Sequence, residues 1–264
     1  MSRQSRSSNG CGPMDALARA ALAADDRILA TIDRLGPPAA DSAAADAATR
    51  AYLTLLDLAD RAGIAEDLDI CLRLPAIGRE IPHDGEKWAG DNAAEICARA
   101  RAVGATVTLA TDGDTDDPAS VDEVLAALAA LRSAAPTTGV TLRADLRRTP
   151  ADCRELARSG ARVRLRLRPG RHLVRRSVAT ADPTFHDQRR GFAACLGILM
   201  AGPGYPMIAT QDPRLMALTT RLAARAGRHP DSFEFQTVRG TPRREHRRLA
   251  ATGYRARVYV SYGR

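Results

Sequence analysis

A set of polar residues stands at or near the ends of short β-type runs in this chain: Asp33, Arg73, Asp112, Arg143, Asp145, Arg164, Arg166, Thr210, Gln211, Asp212, Gln236, Tyr259 and Tyr262. The arginines suit the holding of an acid group, because a guanidinium offers a planar fork and keeps its charge at physiological pH. Arg73, Arg143 and Arg166 are the candidates for that task. Asp112, Asp114, Asp116 and Asp117 carry the oxygens a hard cation takes. They lack the spacing of an EF-hand loop, so a solvated acidic loop is the expectation. His186, His229 and His246 are read as exposed residues rather than ligands, and Trp88 and Cys71 as packing residues. The cysteines Cys11, Cys71, Cys97, Cys153 and Cys195 are scattered and never spaced as CxxC. This argues for reduced thiols in a cytoplasmic protein.

Residues at strand ends act together only if the strands run the same way. Strand candidates are Ile28–Asp33, Leu68–Leu74, Thr106–Ala110, Val140–Leu146, Arg162–Leu167, Pro206–Thr210, Ser232–Gln236 and Ala256–Tyr262, with seven helical patterns between them. Ala48, Tyr52, Leu55, Leu56 and Ala59 form one apolar stripe; Val121, Val124, Leu125, Leu128 and Leu131 form another. Ser120 and Glu123 have the spacing of a capping box. Thr149-Pro150, Asp212-Pro213 and Thr241-Pro242 each set a capping oxygen before a proline that suits the first helical turn. Gly160, Gly227 and Gly253 fall where helices should end. Strand, helix, strand in steady alternation implies parallel neighbours and right-handed crossovers. Eight such strands, with no G-x-G-x-x-G after any of them, predict an α/β fold, a closed (β/α)8 TIM-type barrel, rather than an open dinucleotide-binding sheet. Only two residues follow Tyr262, so the last helix of such a barrel is expected to be lacking. In this class the chemistry sits at the C-terminal ends of the strands, where the polar residues above fall.

The 264 residues suit one large barrel, read as residues 28–264, preceded by a disordered tail and a short N-terminal helix over residues 1–27. Apolar content of 45% with only 4% aromatics requires a core built from Ala, Leu, Val and Ile. A net charge of +8 raises a nucleic-acid reading, but the arginines are interspersed with acids and no stacking platform or zinc spacing accompanies them. A solvated basic surface is expected, with no specific nucleic acid as partner. No apolar run approaches the length of a membrane span.

Several segments resemble the proline dehydrogenase family. They are Asp33-x-Leu35-Gly36, Leu146-Arg147-Arg148-Thr149 with Asp152, Arg162-Val163-Arg164-Leu165, Gly204 to Thr210 followed by Asp212-Pro213-Arg214-Leu215, Phe233-Glu234-Phe235-Gln236 with Gly240, and Arg257 to Gly263. They occur in order from about residue 29 to 263. The resemblance, to the short monofunctional bacterial type, implies a flavin, FAD or FMN, across the barrel mouth. L-proline or a related imino acid would be oxidised to Δ1-pyrroline-5-carboxylate, and a quinone or other acceptor would take the electrons. It also implies a cytoplasmic protein, with a peripheral place at the inner membrane as the variant. By position, Arg164 resembles the family's flavin-contacting arginine. Thr210, Gln211 and Asp212 fall on the flavin's ribityl-phosphate side, Tyr259 on the aromatic wall beside the substrate, and Arg73 where a lysine meets the substrate carboxylate.

The departures bear on activity. Arg143 stands for a flavin-bonding glutamine and Asp145 for a tyrosine; Leu167-Arg168-Pro169-Gly170 replaces Lys-Gly-Ala-Tyr; Gln211 replaces a histidine; Ala110 and Pro37 replace acids. The sequence stops at Arg264, before the helix on which the family carries its carboxylate-clamping arginines. Truncating such contacts costs roughly 2–5 kcal/mol each, so the expectation is impaired proline oxidation. The alternative is a catalytically inactive relative with a binding or regulatory role, with the flavin lost or kept. A third reading is an enzyme for another small amine or imino acid. The strand surface left without its helix is expected to be covered by a partner, a dimer contact, or the Ala-rich residues 14–27.

Overall fold

The computed structural model describes residues 12–110, 118–167, 183–237 and 243–263. The strands are β1 (Leu29–Leu35), β2 (Leu68–Leu72), β3 (Thr106–Leu109), β4 (Gly139–Arg143), β5 (Arg162–Arg166), β6 (Tyr205–Ala209), β7 (Glu234–Thr237) and β8 (Arg255–Gly263). All pair in parallel in chain order, and β8 closes on β1 from Leu29↔Arg257 to Leu35↔Gly263. The helices are α1 (Pro13–Ala24), α2 (Ser42–Arg61), α3 (Gly85–Ala102), α4 (Pro118–Arg132), α5 (Thr149–Arg158), α6 (Pro183–Ala201), α7 (Pro213–Arg225) and α8 (Arg243–Ala251). The closed (β/α)8 barrel is therefore present. Among the described residues no helix follows β8.

Every expected strand forms, but two end more than one residue early for local reasons. β2 stops at Leu72 because Leu74 turns helical (φ −59°, ψ −40°) to start a 3-10 turn over Pro75–Ile77. β4 stops at Arg143, whose carbonyl accepts the Thr149 hydroxyl at 2.6 Å and folds the chain back. That bond also corrects the cap expected at Thr149: α5 begins with Thr149, and Arg148 holds the cap position without a side-chain bond. The capping box at Ser120 is likewise absent, since α4 starts two residues earlier at Pro118. Glu123 pairs instead with Arg79 of the β2–α3 loop at 2.7 Å. Asp212 does cap α7, accepting from the Arg214 N–H at 2.9 Å. Gly160, Gly227 and Gly253 follow α5, α7 and α8 with φ of 67°, 63° and 82°. Thr241-Pro242, Arg168 to Gly170, the acidic loop from Asp112 to Asp117, and Cys11 lie outside the described residues.

Alternation along each strand divides the buried residues into two sets. Ile32, Ile70, Leu72, Val107, Leu109, Val140, Leu142, Val163, Leu165, Ile208 and Phe235 belong to the apolar cluster that also contains the helix stripes, including Tyr52, Leu55, Leu56 and Ala59 of α2. The other set is polar and buried: Thr31, Asp69, Thr108, Thr141, Arg164, Glu234, Gln236 and Arg257. Arg164 of β5 bonds to Thr31 of β1, Asp69 of β2 and Gln236 of β7, contacts that only side chains crossing the barrel interior can make. Barrels of this class usually fill their interior with layers of Val, Ile and Leu. This one fills it with matched charges.

α1 packs against both β1 and β8, burying Ala16, Leu17 and Ala20. It takes the flank where a surface without its helix is expected. None of the described helices is long and apolar enough to cross a membrane.

Candidate active site at the barrel mouth

Two layers of polar side chains lie along the barrel axis. The lower layer is built on Glu234. Its carboxylate accepts Arg257 Nε at 2.6 Å and Nη2 at 3.1 Å, the Gln236 amide at 2.6 Å, and the Tyr205 hydroxyl at 3.1 Å. Arg257 also donates Nη1 to the carbonyls of Ala30 (2.8 Å) and Asp67 (3.2 Å). Arg162 stacks over the Tyr205 ring, its guanidinium carbon 4.5 Å from the centroid.

Gln236 links this layer to the next by accepting Arg164 Nε at 2.7 Å. Arg164 Nη2 then meets Asp69 at 2.5 Å and Thr31 at 3.0 Å, while Nη1 reaches Thr141 only at 3.5 Å. Asp69 also accepts from Thr106 (2.9 Å), Thr108 (2.7 Å) and Thr31 (3.2 Å). Burial alone would push the Asp69 and Glu234 carboxyls up, but Arg164 and Arg257 overcome it and hold both below the usual carboxylate range. Burial opposes the Arg164 cation in the same way, and the Asp69 carboxylate beside it raises its pKa above the usual arginine value. The interior thus carries two cation–anion pairs, Arg164–Asp69 and Arg257–Glu234, with the Arg162 cation beside them on the Tyr205 ring.

Above Arg164 lies the Tyr259 ring, 5.6 Å from the guanidinium carbon. The Tyr259 hydroxyl donates to Asp33 at 2.8 Å and contacts the Cys71 sulfur at 3.2 Å. Burial, then the neighbouring Cys71 and Asp33, push this phenol well above its ordinary value, and burial first pushes the Cys71 thiol up to about 12. Arg73 grips Asp33 with two bonds, Nε–Oδ1 at 3.2 Å and Nη2–Oδ2 at 2.8 Å. Three of the residues singled out from the sequence, Arg73, Tyr259 and Arg164, therefore form one cluster joined by Asp33 and the Tyr259 ring.

Thr210, Gln211 and Asp212 form a second group on the turn from β6 to α7. Thr210 Oγ1 accepts the Asp212 N–H at 3.1 Å, and Asp212 accepts Arg189 Nε of α6 at 2.6 Å. Gln211 is exposed beside them. At the end of β4, two strands away, Arg143 and Asp145 form a two-bond ion pair, with Arg166 beside Arg143 in the β4–β5 register. A cavity of about 400 Å³ opens at the β1–β2 edge of the mouth, lined by Leu35, Gly36, Pro38, Arg73, Pro75, Ala76 and Glu80. His229 is exposed and paired with Asp231, as expected of a surface residue. The side chains of His186 and His246 lie outside the described residues.

Sequence reasoning missed Asp69, Arg257 and the role of Glu234. A charged residue inside a strand reads as solvent-facing, and only partners on strands far away in sequence reveal it as interior. One signal was present: Arg162-Val163-Arg164-Leu165-Arg166 alternates charge with apolar residues in a strand that a barrel of this class buries on both faces.

A closed parallel barrel with arginine–carboxylate pairs gathered toward the C-terminal ends of its strands defines a (β/α)8 protein with a charged mouth. Comparison with known proteins narrows this. No family model matches the chain. It is 30% identical over 214 residues to proline dehydrogenase of Deinococcus radiodurans, a match covering 80% of this chain and 66% of that protein. It is 27% identical over 239 residues to proline dehydrogenase 1 of Bacillus subtilis, covering 89% of this chain and 74% of that one. The match thus spans about two thirds of the length of the Deinococcus relative and about three quarters of the Bacillus one. The chain belongs to the proline dehydrogenase family. In fold it matches proline utilization A of Bdellovibrio bacteriovorus, inactivated by N-propargylglycine, with a TM-score of 0.77 at 16% identity over 96% of this chain and 30% of that one. A D779W variant of proline utilization A from Bradyrhizobium japonicum gives 0.69 at 18% identity, over 95% of this chain and 28% of that one.

Proposed function

We propose that this barrel is a flavin-dependent dehydrogenase of L-proline, or of a close cyclic imino acid, with the flavin as FAD and a quinone as final acceptor. The observation that carries this reading is the stack of Tyr259 on the Arg164 cation at the centre of the mouth, in a chain of this family. The donor set suits a flavin. Arg164 supplies a cation that its surroundings keep protonated, and among the described residues its Nη1 is engaged only by the 3.5 Å contact to Thr141. The N-terminus of α7 offers a positive dipole end to a phosphate; its Pro213 carries no N–H and the Arg214 N–H is taken by Asp212. Arg189 neutralises the Asp212 carboxylate there, so the cap does not repel an anion.

When bound, the flavin supplies a hydride acceptor for the carbon beside the proline ring nitrogen, and the organic product is Δ1-pyrroline-5-carboxylate. Arg164 holds positive charge where negative charge develops, which is the electrostatic contribution a buried fixed cation makes best. Tyr259 walls the imino acid ring and, through Asp33, shares a hydrogen-bonded unit with Arg73. Asp33 takes the Nε–Nη2 edge of Arg73 and so fixes the direction from which that arginine meets a substrate carboxylate. Thr210, Gln211 and Asp212 carry the ribityl-phosphate side. The reaction leaves the protein's own residues unchanged, as befits a site whose redox chemistry belongs to the cofactor.

One observation favours a second reading, a barrel retained for binding or regulation without turnover. The mouth cations Arg73, Arg143 and Arg164 are already matched by carboxylates of the chain: Asp33, Asp145 and Asp69. Titrating FAD and FMN into the protein while following flavin fluorescence, then adding L-proline without oxygen, separates the two. Saturable quenching that Arg164→Gln weakens at least tenfold, followed by reduction of the bound flavin by proline, supports the dehydrogenase; absence of binding with either flavin, or a bound flavin that proline does not reduce, contradicts it and leaves the second reading.

A further inference from the structure

We infer that Asp69 is the residue that positions Arg164 and sets how much of its charge reaches a flavin at the mouth; this rests on the flavin reading above. Asp69 is the second residue of β2, two residues below Cys71 and four below Arg73, and has no exposed surface. A carboxylate there is costly unless every lone pair finds a donor. Three threonines on the two flanking strands, Thr31 on β1 and Thr106 and Thr108 on β3, provide those donors at 2.7–3.2 Å. They form a cradle for an anion. Its ionic partner is Arg164, at 2.5 Å.

The assignment of partners follows from geometry. Glu234 is already gripped by both Arg257 Nε and Nη2, so Asp69 is the carboxylate left to balance Arg164. Gln236 holds Arg164 through Nε, the neighbour of Nη2 on the same edge of the guanidinium. The guanidinium is therefore fixed at Nη2 by Asp69 and Thr31 and at Nε by Gln236, directly beneath the Tyr259 ring. The field it presents upward is the difference between its own charge and that of Asp69. Such a site stabilises an anionic reduced flavin less than an unpaired arginine would. Asp69 is thus a positioning residue that tunes the redox poise of the site.

The test uses the whole chain and two readouts. Asp69→Asn removes the anion while keeping its shape. With FAD bound, its midpoint potential should shift positive by about 30 mV or more, a tenfold change in the two-electron equilibrium. In the flavin-free protein, Asp69→Asn, Arg164→Gln and their double variant form a cycle read by chemical denaturation. The double variant should be more stable than additivity predicts, by at least tenfold in the unfolding equilibrium. If Asp69→Asn alone does not fold, recovery of the fold in the double variant is the same coupling. Additive effects, or a coupled cycle with an unchanged potential, overturn the inference; the second outcome leaves Asp69 a purely structural ion-pair partner. Failure of the wild type to bind flavin would instead refute the dehydrogenase reading, and the cycle alone would then decide whether Asp69 positions Arg164.

Discussion

Arg143 grips Asp145, two residues ahead of it, through both arms of its guanidinium: Nη2–Oδ2 at 2.6 Å and Nε–Oδ1 at 3.2 Å. These are the positions, one at the end of β4 and one just past it, at which the chain departs from the glutamine and tyrosine that the family resemblance implies. The structure makes them a single change. The arginine side chain is 2% exposed and the aspartate 12%, so each ion needs the other.

Breaking the pair from one side should therefore cost more than removing it. Arg143→Gln alone leaves Asp145 without its cation, and a loss of about 2–3 kcal/mol is expected. The double variant Arg143→Gln/Asp145→Tyr should recover at least half of that loss. Urea denaturation of the three proteins checks this; equal and additive losses would mean that the two positions are independent.

Asp69 and Glu234 have folded-state pKa values held below their unfolded ones. Their contribution to stability is complete above the unfolded carboxylate values, about 4. It is lost as pH falls through the lower folded values, because the unfolded chain binds protons first. Melting temperature should change little on account of these groups from about pH 5 upward and fall steeply below about pH 4. The neutral pair Asp69→Asn/Arg164→Gln should flatten that acid limb. A limb of unchanged steepness would show that these carboxylates are not what acid titrates.

α1 lies over β1 and β8 with Leu17 at its centre, 5% exposed. Leu17→Ala should destabilise the barrel by about 2–4 kcal/mol, the range for a buried leucine truncated to a methyl. Removing residues 1–27 should lower both the melting temperature and solubility. A truncated protein that melts and dissolves like the whole chain would show that this flank does not need α1.

Arg228 was not singled out from the sequence, yet it ties the end of α6 to the following segments. Nε donates to Met200 O at 2.8 Å, Nη2 to Leu199 O and Gly204 O at 3.1 Å each and also to Gly202 O, and Nη1 to Ser232 O at 3.1 Å. The last carbonyls of a helix have no partners within it, and this side chain supplies them. Arg228→Lys should fail nearly as badly as Arg228→Ala, because an ammonium cannot span acceptors that a planar fork bridges. A loss of about 2 kcal/mol, or roughly 4–8 °C in Tm for a chain of this size, is expected. Full rescue by lysine would mean that charge alone matters.

The barrel was legible because its signals are local. The apolar stripe from Ala48 to Ala59 specifies α2 by spacing alone, and Asp212-Pro213 announces α7 by its chemistry. The errors were also local contests. Ser120 has capping-box spacing, but Pro118 two residues earlier starts the helix. Thr149 lost its expected cap to a bond with the Arg143 carbonyl, a partner that only the β4 turn brings close. The resemblance singled out Arg73, Arg164 and Tyr259, which the fold brings into one cluster. What the sequence hid was what those residues touch. Asp69 and Arg164 are 95 positions apart, and Gln236 and Arg164 are 72 apart. No periodicity within a strand reports a bond across the barrel.

The central claim is that Arg164 and Tyr259 sit under a flavin that oxidises proline. Absorbance spectra of the protein reconstituted with FAD, recorded without oxygen before and after addition of L-proline, test it most directly. The account predicts bound-flavin bands that bleach with proline, and slower bleaching in Arg164→Gln. Flavin bands that survive saturating proline, or no bound flavin at all, would contradict it.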